Sequence, residues 1–126
     1  MKDEKERRPE DLKARTKRFA LRIVRVYCAL PKTTAAQVMG KQMLRSGTSV
    51  GAHYREAIRS RSTAEFISKI EGALQEIEET AYWLELLVES GIMGEERLGG
   101  LLSEADELTA VLTVCVKNAK QKGSRK

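Results

Sequence analysis

A bundle of four antiparallel α-helices is the fold this sequence predicts, and three observations carry the prediction. Apolar residues recur every three or four positions along four separate stretches. The stretches are parted by short punctuated segments around Pro31, the basic turn ending at Arg61, and Gly91. No segment alternates apolar and polar residues as a strand would. Short connections then favour an all-α, up-down-up-down arrangement in which each helix runs antiparallel to its sequence neighbours.

The first helix is expected from about Glu10 to Ala29, with Leu12, Phe19, Ile23, Val26, Tyr27 and Leu30 on one face and Pro31 as its stop. Thr33 or Thr34 can cap the second, whose apolar positions include Ala36, Val38, Met39, Met43, Leu44, Val50 and Ile58. Its glycines at 40, 47 and 51 each cost about 1 kcal/mol relative to alanine. Such a cost makes sense if something large packs closely against that side.

Ser62 with Glu65 three residues later is a capping box for the third helix. Phe66, Ile70, Ala73, Ile77, Ala81, Leu84 and Val88 then form one face that ends at Gly91. In the fourth helix Leu98, Leu101, Ala105, Leu108, Leu112, Cys115 and Ala119 alternate three- and four-residue steps, the spacing of left-handed bundle packing. Gly94, Gly99 and Gly100 leave its start open. The domain reading is a charged arm over 1–9, the bundle over 10–120, and a basic tail over 121–126.

At 126 residues, with 41% hydrophobic and 33% charged composition, the chain suits one folded soluble domain. Its amino terminus, MKDEKERRPEDLK, has no apolar core of a signal peptide, and no stretch approaches eighteen apolar residues. The expectation is a cytoplasmic protein with no membrane contact. Cys28 and Cys115 lack a second ligand at metal-binding spacing and are read as small buried hydrophobes. In the predicted topology they lie more than ~20 Å apart along the bundle, beyond the roughly 7 Å limit for a disulfide.

The net charge of +5 hides a strong segregation. Residues 19–61 hold eight basic residues and one acidic; residues 62–94 hold one basic and seven acidic. In the first helix Arg15, Arg18, Arg22 and Arg25 follow at steps of three, four and three and make a guanidinium stripe. Lys41, Arg45, Arg55, Arg59 and Arg61 extend it along the second helix and the following turn. A stripe of this kind suits phosphates, since each neutralised phosphate releases counterions and each guanidinium can bind two oxygens. It carries no base specificity. The plainer reading is a solvated or internally paired charged surface. Tyr54 is the one aromatic placed near the basic turn, so stacking on bases has little to stand on.

An acidic side answers the basic one, with Glu71, Glu78, Glu85 and Glu89 on the third helix and Glu104, Asp106 and Glu107 on the fourth. These charges can be matched within one chain or between copies placed head to tail. Tyr82, Trp83 and Leu86, with Val111 and Val114, point away from the main seams and are the candidate oligomer interface, a wider core being the alternative. Catalysis finds little support. His53 is the single histidine, no nucleophile sits at a spacing to use it, and the Glu-x-x-His of bundle di-iron sites is missing. Gly47-x-x-x-Gly51 lacks the Lys-Ser/Thr of a phosphate loop. No cofactor or metal is expected, and His53 is read as a neutral, hydrogen-bonded structural residue.

The run RSGTSVGAHYREA, the basic turn, Phe66 and the Tyr82-Trp83-Leu84 cluster resemble the bacterial four-helix-bundle proteins related to the 23S ribosomal RNA intervening-sequence proteins. His53 stands where that pattern has Asn. The resemblance implies a four-helix bundle without an agreed activity, and a ring-shaped homo-oligomer, pentamers in particular. Together with the arginine stripe it implies a non-enzymatic protein that contacts RNA or DNA, the alternative being an assembly or adaptor module whose charged faces mate with each other or with a protein partner.

Overall fold

The computed structural model describes residues 9 to 124, and over them the chain forms α1 (Pro9–Ala29), α2 (Thr34–Ile58), α3 (Thr63–Glu89) and α4 (Glu95–Ser124). Most of the expected amino-terminal arm and the last two residues of the tail lie outside the described residues. Proline opens α1, where its missing N–H costs nothing and its fixed φ suits the first turn. Thr33 caps α2 by accepting the Ala36 N–H at 3.3 Å. Ser62 caps α3 by accepting the Glu65 N–H at 3.0 Å. The return arm of that box reaches one residue further back, with Glu65 accepting the Arg61 N–H at 3.5 Å.

Gly91 ends α3 at φ +77, a left-handed conformation that side chains disfavour. The Ile92 N–H reaches the Leu87 carbonyl at 3.1 Å and the Gly91 N–H reaches Val88 at 3.0 Å. Those two bonds make a Schellman closure and satisfy carbonyls that the helix end would otherwise strand. The fourth helix takes both Gly99 and Gly100 into its first turns. It also runs through Gln121 to Ser124, so that part of the expected tail is helix, with Gly123 lying against Thr63.

Every neighbouring pair is antiparallel, as the register of its contacts requires. Gly40, Gly47 and Gly51 of α2 meet Tyr27, Ile23 and Thr16 of α1 in reverse order. Across α2 and α3, Arg45 pairs with Glu76 and Glu79, and Lys69 with Glu56. Lys120 of α4 reaches Glu71 of α3, and Arg15 of α1 reaches Glu104 and Glu107 of α4. That register sets Cys28 and Cys115 roughly 30 Å apart along the axis, and neither forms a disulfide.

The core is one layer of aliphatic side chains around Phe19 and Tyr54, with Ile23, Met43, Ile70, Ile77, Leu84, Leu98, Leu108 and Leu112 almost fully buried. One polar pair sits inside it. Thr80 Oγ1 lies 2.7 Å from both Ser46 Oγ and the Glu76 carbonyl, so neither buried hydroxyl is left unsatisfied. Four expectations are corrected here. Val38 is 56% exposed, because it lies on the outer face of α2 while Ala36 and Gly40 on either side of it face the core. Cys28 is exposed on the outer side of α1. Tyr54 is buried in the core and offers no stacking face. Val111 is buried, since α4 presents a wider apolar face than its three-four seam suggests.

Candidate nucleic-acid interface

Close packing of α1 on α2 begins from the glycines. A Cβ on residue 47 would stand 2.8 Å from Ile23 Cγ1, and one on residue 51 would stand 3.2 Å from the Thr16 hydroxyl. The large neighbour expected from those glycines is therefore Ile23, with Tyr27 and Leu30 against Gly40. Outside this seam a shallow groove of about 290 Å³ remains, floored by Ala20, Gly51 and Ala52 and edged by Lys17, Thr48 and Arg55. Lys17 and Arg55 are both exposed and, among the described residues, no ion pair involves either of them.

The predicted arginine stripe does not survive as one surface. Arg15 is buried against α4: its Nε lies 2.7 Å from Glu104 Oε2, and its Nη2 lies 2.9 Å from both Glu104 Oε1 and Glu107. Those hydrogen bonds, that of Glu104 first, raise its already high pKa further and fix it as a structural cation. Arg45 is turned to α3, 2.5 Å from Glu79 and 3.5 Å from Glu76. Arg22 leans over α4, where a Cβ on Gly100 would come within 3.3 Å of its Nη2. Arg18 and Arg25 are exposed on α1, and Lys41 is exposed near the start of α2. Arg55 and Arg59 mark the far end of α2, and Arg61 joins Lys122, Ser60 and Phe66 around a second hollow of about 420 Å³. Lys17 is not among the predicted contact residues, because it falls outside the three-four spacing of the arginine stripe, and Lys122 is expected only as part of the basic tail.

Of the candidate oligomer residues, Tyr82 is 54% exposed, Trp83, Leu86 and Val114 are half-buried, and Val111 belongs to the core. The Tyr82 and Trp83 rings meet edge to face at 5.0 Å. The Trp83 indole N–H donates to Glu79 at 3.2 Å, joining the tryptophan to the Arg45 pair. His53 lies half-buried between α2 and α3, in space left by the missing side chain of Gly72. Its nitrogens sit 3.7 Å from Glu56 and 3.6 Å from Glu76, both too long for hydrogen bonds. Its Nδ1 has no hydrogen-bond partner among the described residues, which corrects the expectation of a hydrogen-bonded histidine. Among the described residues no cluster of three His, Cys, Asp or Glu could hold a metal, and no helix is long and apolar enough to cross a membrane.

The model of the family described as 23S rRNA-intervening sequence protein matches residues 10–114. The chain belongs to that family. This 23S rRNA-intervening sequence family member is also similar to the crystal structure of a protein of unknown function from the S23 ribosomal protein family of Bacteroides thetaiotaomicron. The two share 39% sequence identity and a TM-score of 0.81, over 86% of this chain and 97% of that one. No curated protein matches the chain.

One pH effect follows for this family member. The Arg45 hydrogen bond, and after it the Trp83 indole, hold the Glu79 carboxyl below the usual carboxylate range. The folded-state value is lowered, so the associated stability is present above the unfolded carboxylate value of about 4.3. It is lost as pH falls through the lower folded value. Melting temperatures of wild type and Glu79→Gln should differ slightly at pH 7 and converge below about pH 4. Emission of Trp83, the single tryptophan, reads the same contact.

Proposed function

We propose that this protein is a non-catalytic module that holds RNA or DNA along the α1/α2 edge and works as a homo-oligomer, a pentameric ring being what the family resemblance implies. The observation that carries the reading is the α1/α2 groove, with Lys17 and Arg55 on its two walls and small residues along its floor. A polyanion backbone can approach such a floor closely, while the two cations neutralise a phosphate from either side. Arg59 and Arg61 continue the positive edge towards the α2–α3 turn, and Arg18, Arg22, Arg25 and Lys41 supply longer-range attraction. Arg15 and Arg45 have no part in it, because carboxylates of α4 and α3 already take their donors.

A protein-only assembly or adaptor module is the second reading. It is favoured by the exposed acidic exterior of α3, where Glu78, Tyr82, Glu85 and Glu89 are all open to solvent. One experiment separates the two. Labelled RNA and DNA are titrated at 50 mM salt against wild type and against the Lys17→Ala/Arg55→Ala/Arg59→Ala variant, with light scattering on both proteins. The nucleic-acid reading expects the variant to bind at least tenfold more weakly, with a shallower salt dependence and the same assembly mass. Equal binding by both proteins sinks it. Absence of binding by either protein, with Tyr82→Arg lowering the assembly mass, would then support the assembly reading alone.

A further inference from the structure

We infer that the α1/α2 groove distinguishes RNA from DNA, with the Thr48 hydroxyl oxygen accepting a hydrogen bond from a ribose 2′-OH. The inference rests on the nucleic-acid reading above and adds the class of strand that the groove takes. Thr48 is exposed at one end of the groove, seven residues before Arg55 on the same side of α2, which is about 10 Å of helix rise. The floor between them is Ala20, Gly51 and Ala52, so no side chain larger than a methyl group separates the hydroxyl from the cations.

The direction of the Thr48 proton decides what it can bind. Its Oγ1 lies 2.7 Å from the Leu44 carbonyl and 3.3 Å from that of Arg45, so its one proton is held by the backbone of its own helix. What the hydroxyl can still offer a ligand is therefore a pair of acceptor lone pairs. Phosphate oxygens are acceptors too and gain nothing there. A donor at sugar height does gain, and the 2′-OH is the donor that RNA has and DNA lacks. A phosphate between Lys17 and Arg55 leaves a neighbouring sugar free to lie along the floor towards Thr48. The Thr16 hydroxyl beneath it is committed in the same way to Leu12 at 2.8 Å, but it is fully buried and cannot share the contact.

The test uses the full chain and single-stranded oligonucleotides of one sequence made as RNA, as DNA and as 2′-O-methyl RNA, which keeps an oxygen at the 2′ position but cannot donate. Fluorescence anisotropy at low salt should show RNA binding about threefold to tenfold tighter than the other two, the range that one neutral hydrogen bond supplies. Thr48→Val, which keeps the shape and removes the lone pairs, should erase that gap and leave DNA affinity unaltered. Thr48→Ser should keep it, and Arg55→Ala should weaken all three strands alike. Equal affinity for RNA and DNA in the wild type, or a preference that survives Thr48→Val, overturns the inference while the nucleic-acid reading stands. Absence of binding by any strand overturns both.

Discussion

Gly47→Ala should destabilise the protein by about 2 kcal/mol, although alanine is the better helix former by about 1 kcal/mol. The added Cβ would meet Ile23 at 2.8 Å from Cγ1, 2.9 Å from Cγ2 and 3.2 Å from Cβ. These atoms belong to the branched stem of a buried, β-branched residue, which has no alternative χ1 well to retreat into. Relief therefore requires α1 and α2 to separate, and the separation is transmitted to every contact along that seam. Gly99→Ala on α4 is the control, because a Cβ there meets nothing within 4 Å. It should raise stability by up to about 1 kcal/mol, so one chemical change has opposite signs at two helical glycines. Urea unfolding of both variants checks the pair. Ile23→Ala made together with Gly47→Ala should cost less than the two single losses added, because the cavity left by one receives the methyl of the other. Additive losses would place the cost of Gly47→Ala somewhere other than this contact.

Local signals made the helices legible. Ser62 and Thr33 cap where their side chains allow, Gly91 terminates α3 because only glycine adopts its φ comfortably, and the glycines of α2 announced a close neighbour before that neighbour was identified. What stayed hidden was which helix face meets which. Arg15 and Arg18 belong to the same stripe by spacing, yet Arg15 is 89 residues from Glu104 in sequence and beside it in the fold. Nothing in a helical period separates a solvated arginine from one clasped by a distant helix. Tyr54 was misplaced for a related reason. Its sequence neighbours Arg55 and Glu56 are exposed, but its own turn of α2 faces the core. Val111 shows the limit of seam spacing, because a four-helix bundle buries more of each helix than two positions in seven.

The same partition of charge organises the candidate site. The acidic residues of α3 and α4 that face α2 and α1 engage the donors of Arg45 and Arg15, and the cations left over lie where no carboxylate side chain lines the groove. Segregated charge along the sequence thus becomes two kinds of arginine. One kind holds helices together; the other keeps its donors for a ligand.

That division can be measured at Arg15. Arg15→Ala should cost about 2–3 kcal/mol, below the 3–5 kcal/mol of a fully buried broken pair because Glu107 keeps much of its contact with water. The Glu104 side chain is only 18% exposed, so losing Arg15 leaves a shielded carboxylate without its bidentate partner. The cost should thus come mainly from the charge left behind. Arg15→Met combined with Glu104→Met should then recover most of the loss, since no uncompensated charge remains and the apolar volume is kept. Thermal melts of the single and double variants at neutral pH measure this. A double variant as unstable as Arg15→Ala would mean that the ion pair itself, rather than the desolvated carboxylate, dominates. Nucleic-acid affinity supplies the second axis. Arg15→Ala, held well below its melting temperature, should bind RNA as the wild type does, whereas Arg55→Ala should weaken binding with little change in stability, because its exposed guanidinium holds no carboxylate among the described residues.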